Sequence, residues 1–454
     1  MKIEKLVFGG RGLARVDGFT VFVERTVPGD EVRARVFRRK ANHAEARLVE
    51  LTTPSPFRVV PPCPYSGFCG GCPWQFLDYE KQLLAKRGVV VEALEHIGRL
   101  KEVPVNPVIP SEKKFQYRNK MEFSFSDRRW LLPEELSRDD IAKDFALGLH
   151  VPGTFHKVLD INACLLQPGL GNKILADVRR HVTQSMIPPY GLRSHQGFWR
   201  FLMLRHSSSD DTWMVNVITS EEQVAWVQPL ADLLYEEHRN ITSVVNNVNT
   251  RLASIAVGER EILLAGQPFI RDKIGRFEFE ISANSFFQTN TAGAERLYGV
   301  VKGYAELTGQ ETVVDLYSGT GTIPIFLSDG AAKIVGIEIS ESAIRDAQKN
   351  CQKNRVHHCQ FILGDIKTGL KQIGEKTDVM IADPPRAGMH ADVVKAIRNL
   401  APARIVYVSC NPATLARDLA MLTEDYRVVE VQPVDMFPHT HHIECVARLD
   451  LIRA

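Results

Sequence analysis

Thr312-Val-Val-Asp-Leu-Tyr-Ser-Gly-Thr-Gly-Thr-Ile-Pro-Ile325 decides the fold. Val313, Val314 and Leu316 make a short apolar run bounded by polar residues, the pattern of a buried strand. Ser318-Gly319-Thr320-Gly321 interrupts it with a turn at which glycines let the backbone approach a ligand. Ile323, Ile325, Phe326 and Leu327 then predict a helix docked on the sheet. Strand, glycine turn and helix place a ligand at the carboxyl end of the first strand of an open α/β sheet. Lys333-Ile-Val-Gly-Ile-Glu338 predicts the next strand. It ends in an acid about twenty residues beyond the turn, where nucleoside cofactors have a ribose hydroxyl held. The turn is Gly-x-Gly with no third glycine at the usual spacing, which favours S-adenosylmethionine over a dinucleotide. Alone, such a turn is as readily structural; the residues downstream decide.

The chain has 454 residues, too many for one ordinary core, and roughly three domains are expected. Apolar residues at 44% and charged residues at 24% fit a globular protein. No apolar run reaches the ~18 residues of a membrane span, and Met1-Lys-Ile-Glu-Lys-Leu-Val-Phe8 lacks the apolar core of a signal peptide. A cytoplasmic monomer with no membrane partner is expected. With a net charge of only +2, any nucleic-acid surface has to be a local patch.

Residues 1–53 read as a small β-barrel: Lys5-Leu-Val-Phe8, Phe19-Thr-Val-Phe-Val23 and Glu31–Phe37 are strands, with turns at Gly9–Gly12 and Pro28–Asp30. In the third strand Val32, Ala34 and Val36 are expected inside, with Arg33, Arg35 and Phe37 outside. A basic, aromatic-bearing face suits single-stranded RNA; it equally suits a charged edge that blocks aggregation. The layout resembles the TRAM domain of RNA-modifying enzymes, which favours RNA.

Residues 54–285 are expected to form an α+β central domain. It opens on Cys63, Cys69 and Cys72 among glycines and prolines. Three thiols so close are not a disulfide framework in a chain of this length. With a fourth ligand, for which Cys164 is the best candidate, they could hold a [4Fe–4S] cluster or a zinc ion. Residues 78–98 carry a helical stripe of Leu83, Leu84, Val90, Val91, Leu94 and Ile97, and this helix could pack with the catalytic domain instead. Asp127–Asp144 is charged enough to be an exposed loop.

Residues 286–454 form the domain of the glycine turn. Gln288 stands just before a predicted helix, where an ordinary capping role is the plainer reading. Asp365 follows a strand around Phe361. Asp383 ends another strand as Asp383-Pro-Pro-Arg386, and an acid there points into the ligand crevice. Cys410 ends the strand Arg404-Ile-Val-Tyr-Val-Ser-Cys410 and precedes Asn411-Pro412 and a helix, whose dipole favours a thiolate. A buried structural cysteine is the alternative. Glu444, between Ile443 and Cys445, is poorly placed for an idle carboxylate, and the nearby histidines lack the partners of a metal site.

Together these residues suit methylation of uracil. Carbon-5 of uracil is a weak nucleophile. Attack of Cys410 on carbon-6 would make carbon-5 an enolate-type nucleophile, and Glu444 would remove the carbon-5 proton before the cysteine leaves. Asp-Pro-Pro-Arg, Ser-Cys-Asn-Pro, His-Ile-Glu and Ser-Phe-Phe-Gln-Thr-Asn closely resemble the RNA 5-methyluridine methyltransferase family. The match covers nearly the whole chain and is closest to the 23S ribosomal RNA branch. The resemblance implies a Rossmann-like S-adenosylmethionine-dependent methyltransferase domain behind a TRAM/OB-like barrel. It implies a [4Fe–4S] cluster on Cys63, Cys69, Cys72 and Cys164. It also implies cofactor contacts from Gln288, Tyr317, Gly319, Thr322, Glu338, Asp365 and Asp383. Ser318 replaces a cysteine common in relatives, and Thr322 an asparagine found in some. Transfer RNA is the alternative substrate. A non-catalytic iron–sulfur RNA-binding protein is disfavoured by the presence of both Cys410 and Glu444, and cytosine methylation by the family pattern.

Overall fold

The computed structural model describes residues 1–253, 255–373 and 376–452. It divides into two compact units, Met1–Pro61 with Pro73–Glu112 and Ala292–Ala454, and Pro62–Cys72 with Lys113–Thr291.

The first unit is built on a seven-stranded sheet. Its strands are β1 (Thr312–Leu316), β2 (Lys333–Glu338), β3 (Cys359–Leu363), β4 (Val379–Ala382), β5 (Arg404–Ser409), β6 (Tyr426–Val434) and β7 (Glu444–Leu451). They lie in the order β3-β2-β1-β4-β5-β7-β6, and only β7 runs antiparallel to its neighbours. The order reverses between β1 and β4, so a crevice opens at their carboxyl ends. Because β7 runs backwards, its first residue, Glu444, lies at the same edge as the last residues of β1–β5.

The helices are α1 (Tyr79–His96), α2 (Thr291–Ala305), α3 (Thr322–Leu327), α4 (Glu341–Lys353), α5 (Ile366–Lys371), α6 (Ala391–Leu400) and α7 (Pro412–Leu422). Val313, Val314 and Leu316 are fully buried, as their apolar run predicts. Helix α1 joins this core: Val90 and Leu94 are buried with Leu415 and Leu419 of α7. Asp78 caps α1 by accepting from Lys81 N at 3.3 Å. Leu84 was expected on the apolar stripe but is 61% exposed, so the packed face is narrower than the sequence suggests. Leu94→Ala is expected to lose ~2–5 kcal/mol of stability, measurable by denaturant unfolding.

The same unit carries a five-stranded barrel sheet. Its strands are Lys5–Leu6, Gly12–Val16, Phe19–Glu24, Glu31–Arg39 and His43–Thr53. Along Glu31–Arg39 the expected alternation fails: Val32 is buried, but Val36 is half exposed. Register shifts between Glu31/Val32, Arg33/Ala34 and Val36/Arg38 explain it, since each bulge turns the following side chains over.

The second unit is an eight-stranded, mostly antiparallel sheet with helices Gly169–Ser185 and Val224–Glu237 and the hairpin of Phe269–Ile274 with Phe277–Ser282. The charged stretch 127–144 contains a short strand, Arg129–Trp130, and a 3-10 turn, Pro133–Glu135. Among the described residues no helix is long and apolar enough to cross a membrane.

Candidate active site

The glycine turn is built by backbone geometry. Tyr317, Gly319 and Gly321 all have positive φ, at 64°, 53° and 77°. A Cβ on Gly321 would lie 2.9 Å from Ala347 Cβ, so only glycine lets the turn pack on α4. A Cβ on Gly319 would meet nothing within 4 Å; that side of the turn is an open cradle. Glu338 braces the turn from β2, accepting from Gly319 N at 3.0 Å and Ser340 N at 2.8 Å.

Next to it is a cavity of about 320 Å³. Tyr317, Glu338, Ile339, Asp365 and Ile366 line one side, and His390, Asp392 and Val393 close the other. Asp365 caps α5, and hydrogen bonds from Thr368 hold its carboxyl below the usual range. Beneath the turn, Asp315 is buried, and neither carboxyl oxygen has a hydrogen-bond partner among the described residues. Burial, with Asp383 and Glu338 nearby, pushes Asp315 well above the carboxylate range. Buried Ser318 Oγ is likewise unpaired. An open glycine cradle, an apolar slot between Ile339 and Ile366, two strand-end acids and unsatisfied polar atoms under the turn fit an adenosyl group with an amino-acid tail.

Of the sequence candidates, Tyr317, Glu338 and Asp365 share this cavity. Gly319 joins them through Glu338. Thr322 opens α3, but its hydroxyl meets Tyr298 Oη at 3.0 Å and it is not among the lining residues. Gln288 belongs to the second unit, where its carbonyl accepts from Asn119 Nδ2 at 2.8 Å. Ile339, His390, Asp392 and Val393 were not anticipated. Ile339 left a usable signal: an apolar side chain directly after a strand-end acid, 72% exposed.

The second cluster lies along the same strand edge. Ser409 of β5 pairs with Cys445 of β7, which sets Cys410 beside Glu444 one step further along the ladder. Asp383 and Arg386 reach the same place from the end of β4. Burial and then the Glu444 charge push the Cys410 thiol up to about 11, with Arg386 opposing them. Burial and then Asp383 push Glu444 up to about 8, again against Arg386. Burial raises Asp383 to about 6.

The loops that carry these groups are pinned. Asn411 Nδ2 donates to Arg386 O at 3.0 Å, and Arg417 Nη2 to Ala387 O at 2.9 Å. Leading into Glu444, Asp435 accepts from Lys86 Nζ of α1 at 2.6 Å, from Tyr79 Oη at 2.9 Å and from Phe437 N at 3.1 Å. Lys86 and Asp435 are both fully buried.

In the second unit, Cys63, Cys69 and Cys72 are half-buried on one loop, and Cys164 is buried. The loop is tied down by Gly70 N donating to His150 O at 3.0 Å and by Tyr65 Oη accepting from Asn162 N at 2.9 Å. Burial pushes the Cys69 thiol up to about 11, opposed by a hydrogen bond from Gly71 and reinforced by Cys164 and Cys63. Three of the four thiols therefore feel one another, and Cys72 follows Cys69 on the same loop.

A parallel sheet with one reversed strand, and a glycine turn braced by an acid beside a cavity at the strand ends, are the frame of an S-adenosylmethionine-dependent methyltransferase. Residues 225–451 match the family described as tRNA (uracil-5-)-methyltransferase, and residues 1–49 match the TRAM domain. The chain is 42% identical over 429 residues to an uncharacterised RNA methyltransferase of Chlorobaculum tepidum, covering 92% of this chain and 89% of that one. It is also 42% identical over 465 residues to one of Porphyromonas gingivalis, covering 99% of each. The fold resembles that of the Pyrococcus abyssi tRNA (uracil-54, C5)-methyltransferase in complex with S-adenosyl-L-homocysteine, with a TM-score of 0.79, 30% identity and 99% of both chains covered. The chain belongs to the RNA (uracil-5-)-methyltransferase family and is an S-adenosylmethionine-dependent RNA methyltransferase with an N-terminal TRAM domain.

Proposed function

We propose that the enzyme methylates carbon-5 of a specific uridine in 23S ribosomal RNA through a covalent adduct with Cys410. The observation that carries the covalent step is the register of β5 on β7, which sets a thiol and a carboxyl side by side at the crevice edge; the choice of ribosomal RNA rests on the resemblance of the motifs. The Cys410 thiol gives its proton to solvent, its sulfur bonds to carbon-6 of the uracil, and the ring electrons move to carbon-5 and the carbonyl oxygen. Bound S-adenosylmethionine supplies an electrophilic methyl group, which carbon-5 takes up. Glu444 accepts the carbon-5 proton, the ring double bond re-forms and the thiolate departs. Asp383 raises the affinity of Glu444 for that proton. A uridine in folded RNA has to leave its stack to reach these groups.

Glu338 would hold the ribose hydroxyls and Asp365 the adenine edge, with Tyr317 and Gly319 beside them and Asp383 at the end of the neighbouring strand β4. Glu338→Ala is expected to raise the KM for S-adenosylmethionine roughly tenfold to a hundredfold, the effect of losing hydrogen bonds to a charged group. An unchanged KM would remove Glu338 from the cofactor site.

The four thiols suit a [4Fe–4S] cluster, which needs four thiolates from the protein. Anaerobically purified protein is expected to be brown, with about four irons per chain; a colourless protein containing zinc would replace this assignment. Likeness to the Pyrococcus abyssi enzyme makes transfer RNA the second reading of the substrate. Mass spectrometry of ribosomal and transfer RNA from a strain lacking the gene separates the two, because only the true substrate loses a methyluridine.

A further inference from the structure

We propose that the groove between the TRAM barrel and α1 receives an unpaired nucleoside of the substrate RNA beside the target uridine, with Phe8 as its stacking platform. The groove has a volume of about 530 Å³, within the ~300–1,000 Å³ of sites that enclose small molecules. Phe8 is 54% exposed on one wall and Ile97 51% on the other. Large apolar side chains this open on a barrel rim and a helix end stack on a ligand more readily than on each other. Phe22 and His43 also line it, their rings edge to face with centroids 5.4 Å apart.

The electrostatics favour a base over a cationic peptide. The two carboxylates that line the groove are both paired: Glu92 with Lys5 at 2.6 Å and Glu45 with Arg11 at 3.2 Å. What remains is aromatic and aliphatic surface whose carboxylates are neutralised, which suits stacking of a nucleic-acid base. These residues come from other strands than Glu31–Arg39, whose Arg33 and Arg38 are paired with Glu50 and Glu45.

Position links the groove to the chemistry. Ala413, three residues beyond Cys410, also lines it. Gly10, on the loop that carries Phe8, accepts a hydrogen bond at its carbonyl from Trp74 Nε1 at 3.1 Å and packs against His441, three residues before Glu444. The proposal rests on the function given above, and it adds selectivity for a neighbouring nucleotide.

The test uses the full-length enzyme with transcripts of 23S ribosomal RNA and of transfer RNA sparsely substituted with 4-thiouridine. After irradiation, crosslinks are expected in peptides containing residues 5–11, 43–45 or 89–97; crosslinks confined to other peptides overturn the proposal. Crosslinking needs binding and not turnover, so it answers even if Cys410 is not the nucleophile. In parallel, Phe8→Ala is expected to raise the KM for RNA about tenfold or more, as loss of one base stack does. The effect should fall on KM rather than kcat, and Phe8→Tyr should restore it. Wild-type KM in Phe8→Ala, with the KM for S-adenosylmethionine confirming an intact fold, also overturns it.

Discussion

Cys410→Ala is expected to abolish methylation, by on the order of 10⁴-fold or more, the scale on which loss of a covalent nucleophile acts. RNA binding should survive, because the substitution removes one half-buried sulfur and leaves the Asn411 cap and the Arg386 loop in place. The size of the effect follows from the substrate: without the carbon–sulfur bond, carbon-5 remains too weak a nucleophile to take the methyl group. The measurement is methyl transfer from labelled S-adenosylmethionine together with an RNA-binding assay. Residual activity near wild type would remove Cys410 as the nucleophile, whatever the fold.

Glu444→Gln should act differently, by letting the reaction begin and preventing its end. The amide is close in shape to the carboxyl but cannot take the carbon-5 proton. Enzyme joined to RNA should accumulate as a slow band on a denaturing gel, with turnover down ~10²–10⁴-fold. The pH dependence carries a second check. Burial and Asp383 push Glu444 up to about 8, so in the free enzyme at pH 7 the carboxyl is mostly protonated and unable to accept a proton. As pH rises, the active carboxylate form grows through about pH 8 and the Cys410 thiolate grows towards about 11, so kcat/KM should climb through about pH 8 and keep rising above it. In the glutamine variant that limb should vanish from the release of RNA. Normal turnover, with no band, would rule out this role.

The parallel sheet was legible because its strands are continuous apolar runs that end in acids, cysteine or glycine. Those endings placed Glu338, Asp365, Asp383 and Cys410 along one edge before any coordinate was known. Glu444 was legible as a carboxylate in apolar company, but its adjacency to Cys410 was not. That adjacency depends on β7 inserting backwards between β5 and β6, a long-range pairing that no local pattern encodes. The barrel was half legible: Gly12–Val16 is too short and His43–Thr53 too polar to stand out, and bulges break the alternation of Glu31–Arg39. Asp315 was hidden for another reason. Its place in a buried strand reads as a simple polar interruption, and only the packing reveals a carboxyl with unsatisfied oxygens beneath the turn.

The Lys86–Asp435 pair has a practical corollary for anyone seeking a minimal enzyme. Its two members are separated by 349 positions in the chain, so no single cut isolates the catalytic half with its support. A fragment beginning after the central insertion would keep the anion and discard its cation, stranding a charge in oil at a penalty of ~3–5 kcal/mol. Miniaturisation should therefore splice residues 73–112 directly onto the later segment rather than trim from the amino terminus.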